Sequence, residues 1–182
     1  MVRRNRSRRN RSWVRKFVND WLVSIVVSFI IVKLITTFLI YKIVVPTGSM
    51  TPTVEAGDQL IAVKVYNPSW IKRGDILVFK SDELNELLLK RVIGLPGEHV
   101  EIKSDDSVFI NEEKINEDYV RNPGGKNDMS FDVPEGKYLM LGDNRVNSND
   151  ARYWRNTYID GSEIYGKAEI IVYPFNRAGF AK

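Results

Sequence analysis

The feature that most constrains this chain is a long apolar run close to its N-terminus. From Trp21 to Val45, 19 of 25 residues are apolar, and the exceptions are two Ser, two Thr, Lys33 and Lys42. A helix of about 20 residues spans the hydrocarbon core of a bilayer, so the run is long enough to cross a membrane. We predict a transmembrane helix over residues 17–42, shifted towards the N-terminus so that Lys33 reaches the outer interface.

The charge that precedes this run predicts its orientation. Residues 1–16 contain eight Lys or Arg and no acid, which leaves 19 basic against 23 acidic residues in the rest of the chain. Basic residues beside a membrane helix favour the cytoplasmic side. We therefore predict a cytoplasmic tail over residues 1–16 and an extracytoplasmic domain over residues 43–182, anchored in the cell membrane. An apolar run rather than a folded domain follows the basic tail, so we expect it to contact membrane lipids and not nucleic acid.

A cleaved secretory signal is the alternative interpretation of the same run. Residues 21–32 alone would serve as the hydrophobic region of such a signal. Secretory signals end at a cleavage site with small side chains, whereas Ile43, Val44, Val45 and Pro46 follow this run. The sequence therefore favours an anchor that is retained.

Composition excludes several kinds of chemistry. The chain has no cysteine, which excludes disulfides, thiolate metal sites and a cysteine nucleophile. It has one histidine, His99, so a multi-histidine metal site is excluded and a Ser-His-Asp triad would have to use this residue. The segment Glu98-His99-Val100-Glu101 is typical of an exposed strand, which makes His99 a poor candidate for a catalytic base. We predict neither a metal nor a cofactor.

After Pro46 the pattern changes to short runs rich in Val, Ile, Leu and Tyr, separated by turn signals such as Pro96-Gly97 and Glu135-Gly136. No long amphipathic helical repeat follows residue 46. The runs lie at residues 59–65, 75–80, 99–103, 107–110, 137–141 and 169–173. We predict a mainly β fold of antiparallel sheets, preceded by one N-terminal transmembrane helix.

Three segments carry residues that are capable of chemistry, and the first is Pro46-Thr47-Gly48-Ser49-Met50. Its glycine permits a sharp turn that leaves the next hydroxyl exposed. A Gly-Ser pair is also common in ordinary turns. Because this pair directly follows the apolar run, a nucleophile at Ser49 would lie at the outer membrane surface.

The second segment places Lys90 after three leucines. In a strand, successive side chains lie on opposite faces. Leu88, Lys90 and Val92 would lie on one face, and Leu89, Arg91 and Ile93 on the other. An edge-strand lysine whose ammonium reaches water is the simpler interpretation. A general base must instead be neutral, and desolvation lowers a lysine pKa from about 10.4 by as much as 3 to 5 units. Catalysis by Lys90 therefore requires that it is buried.

The third segment, residues 142–154, is dense in polar side chains and has the composition of a surface loop. It does not fit a calcium-binding loop, because Arg145 takes the third ligand position and Trp154 replaces the final glutamate. It does offer the Ser148 hydroxyl to a nearby amine, and an Asp150/Arg152 pair that can brace the loop.

Together these segments resemble the bacterial type I signal peptidases, the Ser-Lys endopeptidases that remove signal peptides from exported preproteins. The matching motifs occur in the order and spacing of that family, at residues 46–53, 73–75, 90–97 and 142–152. They extend over most of residues 40–155. The short basic tail, single span and outer domain are similar to the short Gram-positive members.

The resemblance implies a role for each matching residue. It implies Ser49 as the nucleophile and Lys90 as the general base, with no metal. The Thr47 hydroxyl and the backbone N–H of Ser49 would form the oxyanion hole. The supporting residues would be Ser148, which orients the lysine amine, and Asp143, Asp150 and Arg152. Ala151 departs from the family, since many members have a second serine there, and we expect a less stabilised loop with an intact dyad.

The resemblance also implies the substrate. Signal peptides of secreted preproteins would be cut after small residues at the first and third positions before the cut, with the protein export machinery nearby. We expect Ile43, Val45 and Leu89 to line shallow pockets for these side chains. The peptide would dock as an added strand.

Two other functions remain open. A self-cleaving regulator with the same dyad normally carries a helical DNA-binding domain, where this chain has its apolar run. A catalytically silent, membrane-tethered scaffold would be expected to lose Ser49 or Lys90, and both are present.

Overall fold

The computed structural model describes residues 6–124 and 127–182. The chain forms two compact units, one that ends at Ile40 and one that covers Tyr41–Lys182. The first unit is helical up to Phe38, and the second consists of strands, turns and short 3-10 helices.

The first unit is dominated by helix α1, Arg6–Phe38. Its segment Phe17–Phe38 is long and apolar enough to cross a membrane. The side chains of residues 17–38 are exposed on all sides of the helix, and a helix that is apolar all round is typical of a membrane span. The prediction of one N-terminal apolar helix that can span a membrane is confirmed.

The end of this helix differs from the prediction. We expected the helix to continue to residue 42, but it ends at Phe38 and Ile40–Val44 form strand β1. Side chains in β1 alternate, because Tyr41 and Ile43 are half-buried whereas Lys42 and Val44 are exposed. Aromatic and β-branched residues with this period of two favour a strand that packs one face on a core. The predicted boundary was therefore wrong by four residues.

The second unit contains two sheets. The larger has the order β1-β2-β11-β3-β4-β9-β10, with β12 beside β11, and the smaller has the order β7-β6-β5-β8. Pairings among β2 to β12 are antiparallel. The strand bounds are β2 Gln59–Lys64, β3 Ile76–Ser81, β4 Glu86–Gly94, β5 His99–Ile102, β6 Val108–Ile110, β7 Glu113–Lys114, β8 Met129–Asp132, β9 Lys137–Leu141, β10 Tyr158–Asp160, β11 Ile164–Tyr173 and β12 Gly179–Phe180. The 3-10 helices cover Pro68–Trp70, Gly161–Glu163 and Phe175–Arg177. The predicted antiparallel β fold is confirmed.

Strand β4 lies between two hydrophobic clusters. The first cluster joins residues from both sheets, including Phe79, Val100 and Leu139, and Leu88 packs against it. The second cluster includes Met50, the residue after the nucleophile candidate. Ile43 and Leu89 are partly buried and pack against this cluster. Its buried members are Val45, Met50, Val54, Leu60, Ile76, Ala168 and Ile171. A lysine on β4 is consequently enclosed from both sides.

The predicted alternation along β4 holds only in part. Leu88 and Val92 contact the first cluster and Leu89 contacts the second, as expected for opposite faces. Ile93 joins the same cluster as Val92, because the register with β9 shifts between Val92 and Gly94. Such a bulge breaks the alternation of side chains.

Candidate active site

The turn that carries Ser49 follows β1 and is held at several points. Met50 is completely buried in the second cluster and anchors the turn. Asn144 binds its backbone twice, through its N–H to the Ser49 carbonyl (3.1 Å) and through Nδ2 to the Gly48 carbonyl (3.0 Å). A Cβ at Gly142 would collide with the Ser49 carbonyl oxygen and with the Ser148 side chain. Only glycine therefore lets the 142–154 loop approach the nucleophile turn this closely.

Lys90 reaches the Ser49 hydroxyl from β4. Its Nζ lies 2.6 Å from Ser49 Oγ, and the two side chains are buried, at 3% and 9% residue exposure. Burial lowers the pKa of Lys90 to about 8; the carboxylates of Asp150 and Asp143 oppose this shift and the charge of Arg152 adds to it. The structure thus brings the two predicted dyad residues into contact, with an amine that loses its proton more readily than that of an ordinary lysine.

Thr47 lies beside the same hydroxyl. Its Oγ1 is 3.4 Å from Ser49 Oγ, and Thr47 is exposed to solvent. The Thr47 hydroxyl is therefore close to the atom that would attack a substrate, on the open side of the turn.

Asp143 forms a buried ion pair beneath the site. Arg91 donates to it from Nε (2.8 Å) and from a terminal nitrogen (2.6 Å), and both side chains are almost fully enclosed. Thr53 Oγ1 also donates to this carboxylate (2.5 Å), while Arg91 donates to the Gly74 carbonyl (2.8 Å). This pair ties the loop that contains Asp143 to β4 and to the segment after Ser49.

Asp150 and Arg152 pair with each other within the same loop. Arg152 donates to both carboxylate oxygens of Asp150, at 2.8 and 2.9 Å. Asp150 accepts from the backbone N–H of Gly142 (3.0 Å), and Arg152 donates to the Arg145 carbonyl (2.8 Å). Ala151 is buried between them in the first hydrophobic cluster.

The position of Ser148 is a correction. We expected its hydroxyl to hydrogen-bond the Lys90 amine, but within residues 6–124 and 127–182 this buried hydroxyl has no hydrogen-bond partner. It packs against Gly142, and the Lys90 amine points to Ser49 instead. Ser148 thus lies in the predicted loop without making the predicted contact.

His99 lies in the smaller sheet and does not reach the dyad. Its Nδ1 is 2.6 Å from Asp132, and its Nε2 is 3.3 Å from Ser130 Oγ. Both ring nitrogens are thereby engaged on a half-exposed sheet face. In the described part of the chain, no group of three or more His, Asp or Glu could hold a metal ion.

A cavity of about 430 Å³ opens beside the dyad, and its lining includes Thr47, Ser49, Leu88, Lys90 and Asn144. The three residues predicted to form substrate pockets lie together elsewhere. They belong to the second hydrophobic cluster, where Val45 is buried and Ile43 and Leu89 are half-buried, and none of the three lines this cavity.

Sequence reasoning missed two groups that hold the nucleophile turn. Asn144 is part of the polar loop, but nothing in its sequence position indicates that it binds the Gly48 and Ser49 carbonyls. Arg177 lies near the C-terminus and donates to Asp58, to Glu55 (2.9 Å) and to the Pro52 carbonyl (3.2 Å). No local pattern links a residue at 177 to a turn at 49.

Comparison with known proteins identifies the family of this chain. A family model described as "Signal peptidase, peptidase S26" matches residues 18–173. The chain belongs to this family. It is 38% identical to a signal peptidase I of Leptolyngbya laminosa over 171 residues, which cover 88% of this chain and 82% of that protein. It is 36% identical to a signal peptidase I of Bacillus licheniformis over 168 residues, with coverage of 86% and 89%.

The solved structure of a signal peptidase I from Enterococcus faecalis V583 is 33% identical, with a TM-score of 0.48 over 53% of this chain and 95% of that chain. The resemblance to type I signal peptidases is confirmed by the family match and by the relatives. As a member of the signal peptidase family, the chain is a peptidase of the serine endopeptidase type.

Proposed function

We propose that this chain is a membrane-anchored signal peptidase I that cleaves signal peptides from exported preproteins after small residues with a Ser49-Lys90 dyad. The observation that carries this proposal is the 2.6 Å contact between a buried amine and a buried hydroxyl.

Lowering the pKa of Lys90 from 10.5 to about 8 corresponds to a loss of folding stability of about 3 kcal/mol at about 1.36 kcal/mol per unit. The full destabilisation is present below pH 8, where Lys90 is protonated in both the folded and the unfolded chain. It disappears above pH 10.5, where Lys90 is neutral in both. A silent scaffold has no use for such a destabilising residue.

The proposed reaction begins at the dyad. The neutral Lys90 amine accepts the proton of Ser49 Oγ, which forms a bond to the scissile carbonyl carbon. The negative charge that develops on the carbonyl oxygen receives hydrogen bonds from the Ser49 backbone N–H and the Thr47 hydroxyl. As the C–N bond breaks, Lys90 returns the proton to the leaving amine of the mature protein.

The second half of the reaction regenerates the enzyme. The signal peptide is now an ester on Ser49 Oγ. A water molecule attacks this ester after giving its proton to Lys90, and the Oγ–carbon bond breaks. Lys90 then reprotonates Ser49 Oγ as the signal peptide leaves with a new C-terminal carboxylate.

The edge of β4 supports docking of the peptide as a strand. β3 pairs with β4 along residues 86–91, whereas β9 pairs with it only from Arg91 onwards. Within the described part of the chain, the other edge of residues 86–90 therefore has no strand partner, and it ends at Lys90. An extended peptide can bind these backbone groups and place its carbonyl carbon beside Ser49. The hydrophobic cluster that includes Ile43, Val45 and Leu89 would then contact the small side chains before the cut.

Cleavage of a preprotein tests this function directly. The full chain is incorporated into lipid vesicles and mixed with a preprotein that has alanine at the first and third positions before the cut. We expect a mature protein whose N-terminal residue is the one that directly follows the alanine at the first position before the cut. Mass spectrometry measures this new N-terminus. An intact preprotein after prolonged incubation would contradict the proposal.

The cleavage rate should rise with pH through about 8. Burial lowers the pKa of Lys90 to about 8, and only the neutral amine can accept the Ser49 proton. Each unit below this pKa reduces the neutral fraction tenfold, so kcat/KM at pH 6 should be about 100-fold below its plateau. Initial rates from pH 5 to 10 measure this profile, with unfolding monitored at each pH as the control. A rate that is highest at acid pH would contradict a neutral lysine base.

We also propose that helix α1 anchors the domain with the N-terminus in the cytoplasm. The apolar segment Phe17–Phe38 follows a tail rich in Arg, which favours the cytoplasmic side. The catalytic unit would then face outwards, among membrane lipids and near the export machinery that delivers preproteins.

Accessibility to protease checks this orientation. The full chain carries one epitope at each end. Protease is added to spheroplasts, which are cells stripped of the wall but with an intact cell membrane. We expect loss of the C-terminal epitope and survival of the N-terminal one, with both lost after the membrane is disrupted. A C-terminal epitope that survives until disruption would place the domain inside the cell and contradict the orientation.

A further inference from the structure

A second cavity, of about 710 Å³, lies beside the first residues of β4. Its apolar lining includes Tyr41, Val78, Leu87 and Ile164. Glu86 lines both this cavity and the one that contains Ser49 and Lys90. Both cavities therefore border the start of β4, at the end of the proposed peptide site that is farthest from Lys90.

The side chains of β1 lead from the dyad to this cavity. Tyr41, Ile43 and Val45 face inwards at every second position, while the residues between them are exposed. Val45 and Ile43 belong to the second hydrophobic cluster beside the nucleophile turn, and Tyr41 lines the cavity. Residues two apart on one face of a strand are separated by about 6.6 Å. The same spacing separates alternate side chains of an extended peptide.

Strand β4 also has one side chain at the second hydrophobic cluster and one at the cavity. Leu89 lies with Ile43 in the second cluster, and Leu87 lies with Tyr41 at the cavity. The edge of β4 beyond Lys90 is occupied by β9, which pairs with Arg91. A peptide strand that has its scissile bond at Lys90 can therefore use β4 only over residues 86–90. Four residues of extended chain cover about 13 Å, which is also the length of β4 from Lys90 to Glu86.

We infer that this cavity is a third subsite, which binds the side chain of the fifth residue before the cut and prefers an aliphatic or aromatic group. The inference rests on the proposed function. Leu87 is 61% exposed, and an apolar side chain in the cavity would cover it. Lys80 and Glu86 are partly or fully exposed at the rim, where their charges keep contact with water. Recognition of the substrate thus extends beyond the two small residues next to the cut.

The wall of this subsite is preformed. The Tyr41 hydroxyl is buried against the backbone of Gly166, where an added Cβ would lie 2.7 Å from it. Glycine at 166 therefore allows the Tyr41 ring to lie close against β11. A ring held in place in this way gives a binding side chain a fixed surface to pack on.

A series of preproteins tests the subsite. The first and third positions before the cut remain alanine, and the fifth is Ala, Leu, Phe or Asp. We expect kcat/KM to be about tenfold higher for Leu and Phe than for Ala. Equal values for Ala, Leu and Phe, or a preference for Asp, would overturn the inference while cleavage itself upholds the proposed function. No cleavage of any member would overturn both.

A variant then assigns the preference to this cavity. Leu87→Trp fills the cavity from an exposed strand position, so the Leu/Ala ratio of kcat/KM should fall from about ten towards one. Val63→Trp is the matched control, since Val63 is an exposed residue of neighbouring β2 (39%) that does not line the cavity, and it should retain the ratio. A ratio that is unchanged in Leu87→Trp would overturn the inference. Because both substrates are measured on one protein sample, partial loss of folded enzyme cancels.

Discussion

Replacing Ser49 with alanine should lower kcat/KM for preprotein cleavage by roughly 10⁴-fold or more, because the hydroxyl that forms the covalent intermediate is lost. Lys90→Met should have an effect of similar size, since among the described residues Lys90 supplies the amine that contacts Ser49 Oγ, at 2.6 Å. Lys90→Arg should be equally inactive, because a guanidinium stays protonated and cannot accept the serine proton. Vesicle-based cleavage assays with the full chain measure these losses.

Matched controls distinguish loss of chemistry from loss of fold. Ser69→Ala and Lys72→Met make the same changes at exposed positions and should retain wild-type rates. The double variant Ser49→Ala/Lys90→Met should be no slower than either single variant, because residues that act as one unit are not additive. Substantial cleavage by either single variant would remove the basis of the proposed mechanism.

The second large effect concerns folding. Asp143→Asn should reduce the free energy of unfolding by about 3 to 5 kcal/mol, because the buried Arg91 guanidinium loses its only described ion-pair partner. In a domain of this size, such a change lowers the Tm by roughly 10 °C. The amide also offers one oxygen where the carboxylate offers two, so it cannot accept from Arg91 and Thr53 in the same way. Thermal and denaturant unfolding of the full chain in detergent measure the loss.

Two comparisons make this prediction specific. Asp82→Asn removes a carboxylate whose side chain is 72% exposed and 4.0 Å from Lys80, and exposed pairs of this kind contribute little. The double variant Arg91→Met/Asp143→Leu should be more stable than Asp143→Asn, because it leaves no unpaired buried charge. If Asp143→Asn unfolded at the wild-type temperature, the pair would not hold the loop as described.

Much of the site could be predicted because its signals are local. Ser49 follows a glycine directly after the apolar run, and Lys90 lies in a run of strand-forming residues, so each is visible within a short segment. The six predicted strand runs also correspond to strands, since regularly spaced apolar residues indicate a strand that buries one face. The very short strands β7, β10 and β12, of two or three residues each, have no such period and were not predicted.

Other features depended on contacts that no local segment contains. The helix ends at Phe38, and Tyr41 and Ile43 are half-buried in strand β1 of the second unit. A hydropathy pattern cannot show whether an apolar residue packs on lipid or on a strand. Ser148 was expected to contact Lys90 because of the resemblance to type I signal peptidases. Which hydroxyl the amine meets depends on the path of that loop past Gly142, and the amine meets Ser49.

The amino-acid sequence by itself determined the kinds of element in this protein and the identity of its reactive groups: an apolar helix behind a basic tail, antiparallel strands, one candidate hydroxyl and one candidate amine. Tertiary structure alone decided that Lys90 is buried against a serine 41 residues away, that Asn144 and Arg177 hold the nucleophile turn, and that a cavity continues along β4. The physical reason is that periodicity and turn chemistry act between neighbours in the chain. Desolvation of an amine, and with it a pKa near 8, arises only when distant segments exclude water together.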